Sequence, residues 1–221
     1  MEQRENWISR NWFYLFLGIW GTFVALPFLA PVFMYFGLEP LGRVMYGIYS
    51  FTCHQLPQRS FFLFGSKTMY SLGEIQTAFQ NTNNPSLLRQ FIGNPEVGWK
   101  IAWSDRMVSM YGAIIPAALI WYPLRHRLGP LSIWGLIWFL NPMILDGMSH
   151  ILSDLAGIGQ GFRDTNTWLV ALTGNRFSAS FYAGDAIGSF NSWMRLLSGV
   201  FFAIGVAWFT FPYLNESMGN E

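Results

Sequence analysis

Residues Asn11 to Leu38 read NWFYLFLGIWGTFVALPFLAPVFMYFGL and contain no charged side chain. A bilayer core needs about 20 apolar residues of helix to cross it. Because lipid offers the peptide groups no hydrogen-bond partners, an apolar run of this length predicts a transmembrane helix. Pro27 and Pro31 lie inside the run and predict a kink. The run is longer than the apolar core of a signal peptide, so we expect it to be retained.

Three further uncharged runs follow the first. They extend from Met107 to Leu124, from Leu128 to Leu145 and from Leu196 to Asn215. Each run reaches or approaches the length of a membrane crossing. We therefore predict an all-α, polytopic membrane helical bundle with about four transmembrane helices plus interfacial or re-entrant helices. The predicted spans are 12–36, 106–124, 130–152 and 193–214, within a single integral membrane domain of residues 1–221.

The composition agrees with lipid as the main solvent. Of the 221 residues, 52% are hydrophobic and 11% are charged, whereas a soluble domain carries roughly 25% charged residues. The net charge of +1 supplies no basic surface for nucleic acid, so no nucleic-acid partner is expected. The single cysteine, Cys53, excludes an intrachain disulfide and a C-x-x-C metal or redox pair.

The connections between the spans predict two further features. The segment from Leu41 to Cys53 is apolar and aromatic but too short to cross the bilayer comfortably, which favours an interfacial or re-entrant helix. Residues 66–103 are polar and rich in turn-forming residues. We expect this stretch to form an insertion outside the membrane, facing outward.

The short link Arg125-His126-Arg127 determines the predicted orientation. It is basic, contains no acid and joins two spans, so the positive-inside rule places it in the cytoplasm. Both termini then also lie in the cytoplasm, and Arg4 and Arg10 near the N-terminus agree with that side. The expected location is the cytoplasmic (plasma) membrane, with the lipid bilayer as a partner.

The first candidate for chemistry is the segment Cys53-His54-Gln55-Leu56-Pro57-Gln58-Arg59-Ser60. A thiol beside an imidazole can supply a nucleophile with its base, or two metal ligands. Adjacent side chains rarely point at the same spot, however, so either one needs a partner from elsewhere. The alternative interpretation is a polar turn at the membrane surface, in which Arg59 binds carbonyls at a helix end.

The second candidate is the pair Asp105 and Arg106, which precedes the second span. Arg106 is the last charged residue before the uncharged run. Arginines at helix ends commonly extend toward the membrane interface, and this is the alternative to a functional role. Under that alternative, Asp105 neutralises the neighbouring Arg106.

The third candidate is a polar stripe formed by Asp146, His150 and Asp154. These residues are four positions apart, so they share one face if the third span continues as a helix. Ionisable groups at membrane depth usually face a partner, a cavity or a metal. A carboxylate and an imidazole one turn apart can share a metal or pass a proton. The alternative is an amphipathic helix at the outer surface with its polar face in water.

The predicted topology places all three candidates at the outer ends of the spans, where they can converge. The resulting candidate functional cluster is Cys53, His54, Arg59, Asp105, Arg106, Asp146 and His150. His54, Asp146 and His150 are the candidates for metal ligands. The residues specify no catalytic role and no cofactor.

Several motifs resemble those of a family of uncharacterised bacterial and archaeal polytopic membrane proteins. Cys53 to Phe61 matches the family signature C-H-Q-x-P-x-R-S-F. The stretch from Ser104 to Gly112 resembles the family's C-x-R-C-x-G-I-Y run but keeps only its arginine. Pro142 to Gly147 is similar to a Pro-x-x-x-Asp-Gly element. Asn191 to Gly199 is similar to an Asn-x-x-x-Arg-Leu-x-Ser/Thr-Gly element.

The resemblance implies a metal site in typical members of that family. Three cysteines and a histidine there suit a zinc or iron–sulfur centre. In this chain Ser104 and Met107 stand at two of the cysteine positions, which puts a thiolate site in doubt. The loss of the thiols indicates a derived member that has become a scaffold.

The favoured function is therefore a non-catalytic accessory or assembly subunit of a larger membrane complex, with other membrane-protein subunits as partners. If that complex converts energy, His54 or His150 can ligate a pigment or haem. The alternative is a membrane-embedded enzyme, metal- or thiol-dependent, with its site at the outer helix ends. A transporter is a third class, although no inverted repeat is evident.

Overall fold

The structure is a computed structural model and describes residues 7–218. Arg4 and the chain termini, which entered the orientation argument, lie outside this range. The helices, in chain order, are α1 (Trp7–Tyr35), α2 (Glu39–Tyr49), α3 (Leu72–Ala78), α4 (Pro85–Leu88), α5 (Asp105–Gly112), α6 (Ile114–Leu124), α7 (Ile133–Asp154), α8 (Phe162–Thr165), α9 (Thr167–Thr173), α10 (Ala179–Tyr182) and α11 (Phe190–Ser217). The strands are β1 (Ser60–Leu63), β2 (Gly93–Asn94) and β3 (Gly98–Ser104).

Within the described residues, three helical segments are long and apolar enough to cross a membrane. They are α1, the segment from Asp105 to Leu124 that contains α5 and α6 in succession, and α11. Three of the four predicted spans are thus present as helices of the required length and composition. The predicted span at 130–152 corresponds to α7, which is helical over 22 residues but contains Asn141, Pro142, Asp146 and His150. These residues lower its average hydropathy, so its crossing stays a prediction.

The prolines affect the spans differently. α1 runs without interruption through Pro27 and Pro31, and α7 continues through Pro142. The second span, by contrast, divides into α5 and α6 at Ala113. Pro116 lies just beyond this break and has no backbone N–H to extend the helical ladder back across it.

The all-α prediction is wrong, because the chain also contains a small three-stranded antiparallel sheet in the order β1-β3-β2. Strand β3 is nearly all buried, and Ile101, Ala102 and Trp103 are fully enclosed. Gly98 permits the tight approach of β1, because its φ is +75° and an added Cβ would lie 2.2 Å from the Leu63 carbonyl oxygen. The residues predicted as a polar insertion thus contribute a core strand.

Helix α11 lies at the centre of the bundle and packs against α5, α6 and α7. Small residues allow this close packing. An added Cβ at Gly199 would lie 2.1 Å from the Ser109 hydroxyl on α5, and one at Gly205 would lie 2.4 Å from Phe139 on α7. α11 is therefore the helix on which α5, α6 and α7 are assembled.

The bundle has two distinct ends. At one end, Tyr35 at the close of α1 stacks on Phe64 beside the sheet, with ring centroids 4.3 Å apart. At the other end, Phe13 stacks on Tyr122 at 3.9 Å, and Trp208 donates to the Gly129 carbonyl. The sheet lies beside the start of α5, the end of α7 and the start of α11. We call this end of the bundle the sheet end.

Candidate functional site

Four arginines and four aspartates form a buried network at the sheet end of the bundle. They come from the turn before β1, the first turn of α5, the second half of α7, the connections around α8 and α10, and the start of α11. Together they are named the arginine–aspartate cluster here. Its members are Arg59, Arg106, Arg163, Arg195, Asp105, Asp146, Asp154 and Asp185.

Arg59 and Arg195 share the carboxylate of Asp185. Arg59 binds Asp154 through both of its terminal nitrogens, at 2.7 and 2.8 Å, and donates from Nε to Asp185 at 2.8 Å. Arg195 donates from Nε to both oxygens of Asp105 at 2.8 and 2.9 Å, and from Nη1 to Asp185. Asp185 therefore links the turn before β1 to α11.

A second part of the cluster is centred on Asp146 of α7. One of its oxygens accepts from Arg106 at 2.6 Å, and the other accepts from Arg163 at 2.7 Å. His150 lies one turn later, and its Nε2 is 3.1 Å from Nη2 of Arg163. The carboxylate thus connects α5, α7 and α8.

The electrostatics of the cluster are those of mutually neutralised charges. Burial opposes ionisation of Asp185, but the guanidiniums of Arg59 and Arg195 outweigh it and hold the pKa of that carboxyl well below its usual range. Burial likewise opposes the charge of Arg59, yet Asp185 and Asp154 raise its pKa above the ordinary value. Buried charges persist only when they are paired in this way.

A cavity of about 280 Å³ opens beside the cluster. Its polar lining residues are His54, Arg59, Ser104, Arg106, His150, Asp154 and Arg195, and Met107, Ile151 and Leu155 are among its apolar ones. The volume is at the small end of the range for small-molecule sites. The His54 imidazole lies at its rim. Partial desolvation and the charges of Arg59 and Arg106 lower the pKa of this imidazole.

The structure places six of the seven predicted site residues around this cavity or in the cluster. His54, Arg59, Arg106 and His150 line the cavity. Asp105 and Asp146 are bound to arginines that line it. Whether these residues have a function stays a prediction.

Cys53, the seventh residue, is buried and does not line the cavity. Its sulfur accepts from the backbone N–H groups of Gln55 at 3.3 Å and Ser104 at 3.4 Å. This thiol joins the turn before β1 to the start of α5. The adjacent thiol and imidazole thus face different surroundings, as expected for neighbouring side chains.

Two of the alternative roles considered for arginines are wrong. Arg59 does not bind carbonyls at a helix end; its recorded partners are Asp154 and Asp185. Asp105 does not neutralise Arg106, because its carboxylate binds Arg195 while Arg106 binds Asp146. Adjacent residues on a helix diverge by about 100°, so opposite charges there favour other partners.

Sequence reasoning missed Arg163, Asp185 and Arg195 as members of the site. Arg195 lies inside the Asn191–Gly199 element, so the motif itself marked it. Arg163 and Asp185 lie in no quoted motif. A signal was available, because a buried acid needs a cation as its partner. A search of the predicted outer connections for such cations and acids would have included Arg163 and Asp185.

The residues at the positions that the sequence resemblance assigns to metal ligands do not fit a thiolate centre. The Cys53 sulfur lies 3.5 Å from the Ser104 hydroxyl, and Met107 packs in the same core cluster as Cys53. A single thiol thus replaces the implied set. Among residues 7–218, no three His, Cys, Asp or Glu side chains are placed to hold a metal ion, so His54, Asp146 and His150 do not form such a group.

Three apolar helices of spanning length and a buried charge cluster at one end define a mainly helical membrane protein. An uncharacterized protein of Methanocaldococcus jannaschii is similar to it: 27% of 168 aligned residues are identical, over 72% of this chain and 77% of the relative. No protein-family model and no solved structure matches the chain. The relative therefore supplies no biochemical role.

Proposed function

We propose that the chain crosses the membrane four times, with α7 as the third span. Its 22 residues extend about 33 Å, enough to cross a bilayer core. Asp146 and His150 are buried against the rest of the protein, whereas Trp134, Trp138 and Leu145 are more than half exposed. The side of α7 that faces away from the rest of the protein is thus apolar, as a lipid-facing helix requires.

Cysteine labelling tests this topology. In a Cys53→Ser background, His126→Cys and Gln160→Cys place single thiols at exposed positions beyond the two ends of α7. A membrane-impermeant maleimide should label Gln160→Cys only from outside and His126→Cys only from the cytoplasm. In this four-span topology both termini also lie in the cytoplasm. Labelling of both positions from one side would contradict a crossing by α7.

We further propose that the protein is a non-catalytic accessory or assembly subunit of a membrane complex. The observation that carries this proposal is the pairing of every carboxylate in the cluster. All four of its carboxylates are bound by arginine, and the Cys53 thiol is held by two backbone N–H groups. Groups engaged in this way hold elements together and are poor nucleophiles or bases.

Exposed aromatic residues support the subunit interpretation. Trp134 is 76% and Trp138 is 64% exposed on the outer side of α7. Large aromatic side chains on such a face suit packing against lipid or against another membrane subunit. Affinity isolation of the full chain in a mild detergent should recover additional membrane proteins in fixed proportion. Recovery of this chain alone, with a monomer's mass, would contradict the proposal.

An enzyme is the second candidate, favoured by one observation: both His54 and His150 line the cavity. An imidazole beside guanidiniums can move a proton on a bound substrate. Metal analysis of the purified protein, combined with growth of cells that carry Cys53→Ala or His54→Ala, separates the two candidates. Unimpaired growth of both variants, with no bound metal, would eliminate the metal- or thiol-dependent enzyme.

A further inference from the structure

The wall of the cavity at the sheet end carries more positive than negative charge. Three guanidiniums, those of Arg59, Arg106 and Arg195, line it against one carboxylate, that of Asp154. The other three carboxylates of the cluster are absent from the lining. A ligand in the cavity therefore meets mainly hydrogen-bond donors.

His150 adds a donor that has no acceptor. Its side chain is 4% exposed, the residue lines the cavity, and its Nε2 faces Nη2 of Arg163 at 3.1 Å. A guanidinium can only donate, so this contact assigns the accepting role to Nε2 and the proton to Nδ1. Nδ1 has no hydrogen-bond partner among residues 7–218. A buried donor without an acceptor is costly, because it has lost its hydrogen bonds to water.

Arg106 supplies further unused donors. Its Nη2 binds Asp146, but its buried Nε has no partner in the described part of the chain. Its side chain remains 16% exposed. Because the unpartnered groups of both Arg106 and His150 are N–H donors, the cavity lacks acceptors rather than donors.

These observations point to a ligand, and we propose that the cavity binds an oxyanion of the phosphate class. The oxygens of a phosphate group accept several hydrogen bonds from guanidinium and imidazole N–H groups at once. The ligand would satisfy the unused donors of Arg106 and His150. His54, exposed at the rim, provides a further contact.

The mouth of the cavity favours a phosphate carried by a lipid. Its apolar residues include Ile151 and Leu155, which are 60% and 79% exposed. Both continue the apolar outer face of α7, on which Met148 and Leu152 are also exposed. A lipid headgroup can enter the cavity there while its chains lie along α7. This choice of source rests on the proposed crossing by α7, whereas binding of the oxyanion does not.

Binding measurements on the full chain in a neutral detergent test the proposal with two probes. Inorganic phosphate is titrated by calorimetry, and retention of phosphatidic acid is counted by native mass spectrometry, with phosphatidylcholine as the lipid control. Arg106→Gln should weaken binding at least about tenfold, as expected for loss of a charge-assisted hydrogen bond. His54→Ala should weaken it several-fold.

Two matched variants keep the test decisive. His54 makes no hydrogen bond to the described residues, so His54→Ala should fold even if Arg106→Gln, which loses Asp146, does not. Arg127→Gln removes an exposed cation at the opposite end of the bundle and should leave binding unchanged. Absence of binding by both probes, or equal weakening by Arg127→Gln, would overturn the proposal.

The two probes also separate the sources of the phosphate. Stronger retention of phosphatidic acid than of phosphatidylcholine, lost in His54→Ala, supports the lipid headgroup. Binding of inorganic phosphate alone would overturn the lipid source and support a soluble oxyanion. If cysteine labelling excludes a crossing by α7 while phosphate still binds, the four-span proposal fails and the oxyanion site remains.

Discussion

The protein buries positive charge in two ways. The arginines of the arginine–aspartate cluster bind carboxylates, whereas Lys100 of β3 binds only neutral carbonyl groups among the described residues. In the cluster, each guanidinium binds at least one carboxylate. Lys100 is fully buried, and within residues 7–218 its ammonium donates only to the carbonyls of Gln55 at 2.7 Å and Arg89 at 2.8 Å. Against the effect of burial, the bound carboxylates raise the pKa of Arg59, whereas burial lowers the pKa of Lys100 to about 7.

The comparison teaches that the two sites respond to different perturbations. Breaking a buried ion pair leaves an uncompensated charge, which is strongly destabilising. A buried lysine without a counterion can instead lose its proton, so its cost depends on pH. The cluster should therefore be sensitive to substitution, and Lys100 should be sensitive to proton concentration.

The largest effect is expected for Asp185→Asn. This change removes the carboxylate that Arg59 and Arg195 share, so two buried guanidiniums lose a partner. We expect a loss of about 3–5 kcal/mol in the free energy of unfolding, the cost typical of a broken buried pair. Denaturant titration of the purified protein in detergent, followed by tryptophan fluorescence, measures it. A change below about 1 kcal/mol would show that the cluster contributes little.

The next effect concerns pH and Lys100. The pKa of about 7 in the folded protein lies below the ordinary lysine pKa of 10.5, so between these values the unfolded chain binds more protons than the folded one. Stability should therefore rise as the pH rises from 7 to 10, by up to about 1.4 kcal/mol per pH unit. Below pH 7 both states are protonated and this contribution becomes constant.

The Lys100→Met variant isolates that contribution. It should flatten the pH profile of the unfolding free energy between pH 7 and 10 relative to the native chain. Lys67→Met is the matched control, because Lys67 is exposed and pairs with Glu74 on the surface. If the native slope persists in Lys100→Met, another group is responsible for it.

A smaller effect is expected for Arg59→Lys. The charge remains, but a single ammonium cannot reproduce the two parallel hydrogen bonds to Asp154 together with the hydrogen bond to Asp185. We expect a loss of roughly 1–3 kcal/mol, less than for Asp185→Asn. The same denaturant titration compares the two variants. A larger loss than for Asp185→Asn would show that geometry matters more than charge in the cluster.

The smallest effect is expected for the exposed pair between Glu39 and Arg43 on α2. Its atoms are 3.5 Å apart and both side chains are more than half exposed. Glu39→Gln should change the free energy of unfolding by less than about 0.5 kcal/mol, because water screens such pairs. Thermal unfolding at low and high salt checks this value, and it sets the surface reference for the cluster.

The sequence was informative where the signal is local. Uncharged runs predict helices because the composition of each run alone determines whether lipid can surround it. The stripe of Asp146, His150 and Asp154 was visible for the same reason, since helical geometry relates positions four apart. In the structure, all three contact the cavity or the cluster.

The remaining features depend on contacts between distant segments. Asp105 binds Arg195, which is 90 positions later, and the alternative pairing with its neighbour Arg106 was equally compatible with the sequence. Strand β3 was missed because Lys100 is buried within it, which removes the regular alternation of polar and apolar residues that marks a strand. Both depend on which segments meet after folding.

The position of Asp185 constrains the order in which the molecule is assembled. This aspartate lies in the connection just ahead of α11, yet it supplies the anion needed by Arg59, more than a hundred positions earlier in synthesis. Arg59 therefore has both of its carboxylate partners only after the connection that follows α10 has been synthesised. The contact between Arg59 and Asp185 joins two segments that helix insertion alone would not bring together.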